Sequence, residues 1–229
     1  MATLAEEVPV VKAEKTLAGE VPVVKAEKTL AGEVPMVKGE NTIGATRWLA
    51  LKELQYLDQN GTERQWNMVQ RTTKSDTSDV DAVAIFATLK GGDLRTPSTL
   101  LVRQFRPPVN AYTIELPAGL IDANETPHAA ALRELKEETG YVATVTGIST
   151  PLNMSPGLTD EKVCIVSVLV DLDKEENMNP VTSLEEGEFV QTLVVPLPGL
   201  VATLEDYAKR GDSVNYGVHS IAVGLSIKL

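Results

Sequence analysis

The sequence predicts an α/β fold, an α/β/α sandwich around a mixed β-sheet with an N-terminal β-hairpin. Three observations carry it. Several short apolar runs have strand composition, a single well-capped amphipathic helix is embedded among them, and two helical stretches close the chain.

Along the chain, the first 42 of 229 residues differ from the rest. LAEEVPVVKAEKT, LAGEVPVVKAEKT and LAGEVPMVKGENT repeat at a period of 13. A proline in every copy, mixed charge and few bulky side chains suggest a flexible tail over 1–42, since three such units are short for a solenoid, with a partner-docking arm as the alternative. A globular domain then covers 43–229. Trp48 to Tyr56 and Arg64 to Arg71 flank DQNGT, where Asn60-Gly61 signals a hairpin. Strand candidates follow at Val80 to Leu89 and Thr99 to Phe105. A helix runs from Pro127 to Thr139, with Thr126 as N-cap, proline at its first position and Gly140 as a left-handed C-cap. Further strands lie near Val163 to Val170 and Phe189 to Val195. The only cysteine, Cys164, sits in the apolar run KVCIVSVLV and reads as a packed strand residue; one cysteine cannot form an intramolecular disulfide. His128 and His219 fall outside any metal-ligand spacing and read as surface or packing residues.

Composition limits the function classes. No apolar run reaches the roughly 18 residues of a membrane span. The opening MATLAEEVPVVKAEKT has neither signal-peptide nor transit-peptide character, so the reading is cytoplasmic, with the nucleus open. The formal net charge is −11; the first 42 residues hold seven acids and five lysines, leaving −9 to the domain. Such acidity argues against a sequence-independent nucleic-acid binder but not against nucleotides, whose phosphates a metal and a few arginines can bridge.

The chemistry concentrates in GLIDANETPHAAALRELKEETGY, residues 119–141. Glu134 and Glu138 stand four apart on the helix, Glu137 is three after Glu134, and Glu125 precedes the first turn. Carboxylates so crowded repel unless divalent cations neutralise them, and hard oxygen donors select Mg2+ or Mn2+ over zinc. Arg133, four before Glu137, is placed to pin that carboxylate while Glu134 and Glu138 ligate metal. Gly119 lets the loop backbone approach, where a carbonyl, assigned to Ala118, completes the shell. A solvated helix face is the alternative for any charged helical run.

Eight positions of this stretch match G-x5-E-x7-R-E-U-x-E-E-x-G-U, and the chain therefore resembles the Nudix hydrolase superfamily; Tyr141 replaces an aliphatic residue at the last position. From about Trp48 to Val195 it is similar to the ADP-ribose (ADP-sugar) pyrophosphatases, with QFRPP at Gln104 to Pro108, ELPAGLID at Glu115 to Asp122 and SPGLTDE at Ser155 to Glu161. Pro156, 15 residues after the box, marks that subgroup. The resemblance implies a homodimer through the N-terminal strands and a nucleotide-sugar substrate. It implies that Trp48 and Trp66 stack on adenine from two subunits, that Arg71 and Arg106 contact substrate, and that Glu188 in GEFV is the base. Glu185 and Glu186 are near enough to substitute. Asn67 stands where the family has an acid that reads the adenine edge. Core packing for the tryptophans and surface ion pairs for the arginines are the structural alternatives. The expected activity is Mg2+-dependent hydrolysis of ADP-ribose to AMP and ribose 5-phosphate, with the Arg133–Glu137 pair in the catalytic set. Cleavage of another nucleoside diphosphate derivative, or non-catalytic ADP-ribose sensing, stays open.

Overall fold

The computed structural model describes residues 34–74 and 79–227. In chain order the strands are β1 (Met36–Ala45), β2 (Leu49–Leu57), β3 (Glu63–Arg71), β4 (Ala82–Lys90), β5 (Ser98–Arg106), β6 (Ala111–Glu115), β7 (Ala118–Leu120), β8 (Thr144–Ile148), β9 (Leu152–Asn153), β10 (Lys162–Asp171), β11 (Val190–Pro196) and β12 (Ser213–Val214). The helices are α1 (Pro127–Thr139), α2 (Glu175–Met178), α3 (Leu200–Lys209) and α4 (Tyr216–Ser226).

The main sheet is mixed. It runs β12-β6-β5-β4-β10-β8, with β11 on β5, β7 on β4 and β9 on β10. β10 lies parallel to β4 and β12 parallel to β6, the other pairs being antiparallel. Period-two alternation sends β4 to two cores. Val83, Ile85, Ala87 and Leu89 meet Ala130, Ala131 and Leu135 of α1, while Ala84 and Phe86 face the opposite layer with Leu200, Leu204, Val218 and Ala222 of α3 and α4. Helices thus cover both faces, which is the predicted sandwich. A strand buried on both faces must read as a continuous apolar run, as β4 and β10 do. Cys164 is buried in the first core, and Tyr141 packs its ring against it. His128 and His219 are exposed.

The N-terminal hairpin forms as expected. Asp58 closes its turn by accepting the Asn60 and Thr62 amides, both at 2.9 Å, and Gly61 takes φ 72°, a left-handed value that favours glycine. One boundary needs correction. The tail was expected to run to residue 42, yet Met36–Ala45 is strand β1, antiparallel to β2, which makes a three-stranded sheet. The free edge of β2 offers unpaired backbone groups, and the third repeat supplies partners for them. Residues 1–33 of the expected tail lie outside the described residues.

Candidate active site

Helix α1 has the bounds its capping signals dictate. Thr126 accepts the Ala129 amide at 3.2 Å, Pro127 starts the helix, and Gly140 at φ 76° donates its N–H to the Lys136 carbonyl at 2.8 Å. Ala130, Ala131 and Leu135 anchor one side in the core, which aims Glu134 and Glu138 at strand β7. Glu138 is only 7% exposed, and its carboxylate accepts the Ala118 N–H at 3.0 Å. In a strand the N–H and C=O of one residue share an edge, so the Ala118 carbonyl faces the same side. A Cβ on Gly119 would fall on the Glu134 carboxylate. The glycine is needed for this close approach.

Arg133 does more than pin Glu137. Its Nε and Nη2 grip both oxygens of Glu125 at 3.0 and 2.8 Å, Nη1 reaches Glu134 at 2.7 Å and Glu137 at 3.1 Å, and Nη2 also donates to the Leu120 carbonyl at 3.0 Å. Glu125 is thus its main partner, because the bidentate fork fits a carboxylate arriving from the preceding loop better than one on its own helix. This hydrogen bonding raises the arginine pKa, Glu125 contributing most, and holds Glu125 below the ordinary carboxylate range.

Arg106, at the end of β5, forks onto Glu115 with contacts of 3.1 and 2.8 Å. Burial alone would raise Glu115, but Arg106 and the Thr113 hydroxyl hold its pKa below the ordinary value. Glu188 lies in the irregular stretch between α2 and β11, in a turn where its carboxylate accepts the Glu185 amide at 3.1 Å. Its charge is felt by Glu134, Glu138 and Arg106, so it lies within electrostatic range of the cluster, though its only side-chain hydrogen bond among the described residues is to its own turn. Burial, then the neighbouring carboxylates, push Glu138 up to about 8 against the Ala118 hydrogen bond; burial is also the main cause of the raised Glu134.

These donors fit a hard divalent cation. Glu115, Glu125, Glu134, Glu137, Glu138 and Glu188 outnumber the two guanidinium groups among them, and the buried Glu138 and half-buried Glu134 carry unfavourable charge that a cation would relieve. Among the described residues no three His, Cys, Asp or Glu side chains converge into a ready cage. Glu134, Glu138 and the Ala118 backbone are the groups that meet where α1 approaches β7.

The remaining predicted residues lie on the N-terminal sheet. Arg71 is ion-paired to Glu161 at 2.6 Å, and Gln70 and Lys74 bind Asp160 at 2.8 and 2.7 Å, which seats β3 against the 155–161 loop. Trp66 donates its indole N–H to the Gly157 carbonyl at 3.2 Å and, with Leu54, Met68, Pro156 and Leu158, lines a pocket of about 220 Å3. No α1 residue lines it. Trp48 and Trp66 are 55% and 48% exposed, so neither is a core aromatic. Trp48 is held opposite Thr72, six positions beyond Trp66, which puts the two backbone positions roughly 20 Å apart along the strands. A single chain therefore cannot clamp one purine between them. Sequence reasoning missed Glu115 and the Lys74–Asp160 pair. Glu115 stands in the ELPAGLID motif, but only the tertiary structure pairs it with Arg106: the register sets Glu115 opposite Val102, and the arginine reaches back along the same face to meet it.

Comparison with known proteins places the site in context. The NUDIX domain family matches residues 79–214. The chain is 41% identical over 179 residues to an ADP-ribose pyrophosphatase of Saccharomyces cerevisiae, covering 78% of this chain and 77% of the relative. It is 36% identical over 187 residues to an ADP-sugar pyrophosphatase of Mus musculus, covering 81% and 84%. A crystal structure of an ADP compounds hydrolase superposes with a TM-score of 0.61 at 21% identity, over 86% of this chain and 94% of that one, which supports the fold.

Proposed function

Because the chain belongs to the Nudix family, we propose that it hydrolyses the diphosphate of ADP-ribose, and of other ADP-sugars, to AMP and the sugar phosphate. The observation that carries this reading is the packing of Glu134 and Glu138 against Ala118 and Gly119, within range of the charges of Arg106 and Glu188. Glu134, Glu138 and the Ala118 carbonyl would hold Mg2+, or Mn2+, which offsets charge developing on the diphosphate and acidifies the attacking water. Arg133 fixes Glu125, Glu134 and Glu137 so that the ligands present one geometry. Arg106, freed from or shared with Glu115, binds a phosphate oxygen. Glu188 takes the proton from water as its oxygen attacks phosphorus and the bridging P–O bond breaks. Its turn lies outside regular structure, so it can close once substrate is bound.

Trp66 and Trp48 would supply adenine-stacking faces, and Arg71 a further substrate contact. Their separation in one chain favours a site shared by two subunits, as do the exposed Met36, Val37, Ile43, Leu49 and Leu51 of the N-terminal sheet. No helix among the described residues is long and apolar enough to cross a membrane.

The test incubates purified protein with ADP-ribose and Mg2+, with oxidised dGDP as competitor and Glu138→Gln as control. AMP and ribose 5-phosphate, lost in the variant, are expected. Preferred turnover of oxidised dGDP would move the assignment to another nucleoside diphosphate, a reading consistent with Asn67. Saturable binding without turnover would make the protein a sensor.

A further inference from the structure

We propose that the β2 edge occupied by β1 is a docking site for the upstream repeat of the same chain, so that residues 23–32 exchange with residues 36–45 as the first strand of the N-terminal sheet. Strand β1 is the last seven residues of the third 13-residue repeat, extended by three residues. A shift of 13 positions sets Val23 at the place of Met36, Ala26 at Gly39, Glu27 at Glu40, Lys28 at Asn41 and Ala31 at Gly44.

Little in β1 specifies which copy binds. None of its side chains is buried, and register is weakly fixed where no face enters a core. Its pairing with β2 consists of backbone hydrogen bonds, which any non-proline residue supplies, and residues 23–32 contain no proline. The ion pair between the strands, Glu40 with Lys52, is kept because Glu27 replaces Glu40. An odd shift would normally turn a strand over; the 13-residue period presents the same side chain types to the same faces.

The two substitutions that could block exchange both fit. A Cβ at position 39 lies 3.2 Å from the mobile amide oxygen of Gln55, which can move aside, and a Cβ at position 44 meets nothing within 4 Å. Neither glycine has a left-handed φ. Valine for methionine and alanine for Gly39 and Gly44 favour the extended strand over the unfolded chain, against an opposing change, Gly32 at the place of Ala45.

What favours β1 is its short connection. Only residues 46–48 link it to β2, whereas residues 33–48 would link the exchanged strand. Loop-closure entropy then disfavours exchange by about tenfold, with the better strand formers offsetting part of this. Exchange also releases the turn at Thr46, whose hydroxyl accepts the Trp48 and Leu49 amides at 3.3 and 3.1 Å. On the reading that Trp48 stacks on the substrate base, the repeats thereby regulate nucleotide affinity; the exchange itself does not depend on that reading.

Paired cysteines in the full chain test it. Asn41 and Glu53 are register partners across β1 and β2, so Asn41→Cys with Glu53→Cys is the reference disulfide, and Cys164 stays buried. Lys28→Cys with Glu53→Cys should crosslink within one chain at about a tenth of the reference rate, and well above Thr29→Cys with Glu53→Cys, which is out of register. A rate no higher than that control, or crosslinks solely between chains, would overturn the exchange. Deleting residues 30–42 splices the second copy onto Ile43. The melting temperature should stay within about 3 °C of the full chain, whereas a larger fall would show that the copies are not equivalent.

Discussion

Replacing Gly119 with alanine isolates the approach of β7 to α1. The new methyl would occupy the position of the Glu134 carboxylate. The backbone imposes no cost, since φ at Gly119 is not left-handed, and the obstructed atoms are the end of a flexible side chain. Glu134 must therefore swing away and give up its 2.7 Å bond to Arg133. Overpacking and one lost charged hydrogen bond at a half-buried position together cost about 2 kcal/mol, or roughly 4–8 °C in a domain of this size. Function should suffer far more. Displacing a ligand by even an ångström costs about a hundredfold in rate, and metal affinity falls by roughly 10–100-fold. The assays are thermal denaturation, a Mg2+ titration of activity, and kcat for ADP-ribose. A variant that folds and keeps wild-type kcat and Mg2+ dependence would refute the placement of Glu134 in the site. Gross unfolding would instead show that the contact is structural.

Other expectations concern single residues. Trp66→Ala should raise KM for ADP-ribose by about tenfold or more with kcat nearly constant, since one stacked base is worth about 1–3 kcal/mol; an unchanged KM would remove Trp66 from the binding site. Glu188→Gln should lower kcat by about 10²–10⁴-fold while the Mg2+ midpoint of activity holds. Loss of Mg2+ affinity instead would make it a ligand rather than the base. Glu115 has a folded pKa below its unfolded value of about 4.3, so its stabilisation is fully present above that pH and is lost as the pH falls through the folded value. The destabilisation caused by Glu115→Gln should accordingly shrink from pH 6 toward about pH 3 in denaturant titrations; a pH-independent cost would contradict the Arg106 pairing.

How much could be read in advance differed by element. Helix α1 was legible to the residue because its caps are local: Thr126, Pro127 and Gly140 act within one turn of their own positions. Strands β4 and β10 were legible to within two residues, since burial on both faces leaves a continuous apolar run. The carboxylate spacing likewise follows from helical periodicity. Strand β1 was not legible. All its side chains stay out of the core, so it has no hydrophobic period, and it exists because β2 offers an edge.

By itself the sequence determined the sandwich, the helix and the choice of acids, because these rest on short-range capping, periodicity and residue chemistry. The tertiary structure alone decided the pairings between distant segments: Arg106 with Glu115, Arg133 with Glu125 ahead of Glu137, and Ala118 with Glu138. It also set the two tryptophans apart. Such contacts depend on strand register and on which edges meet, and no local spacing encodes those.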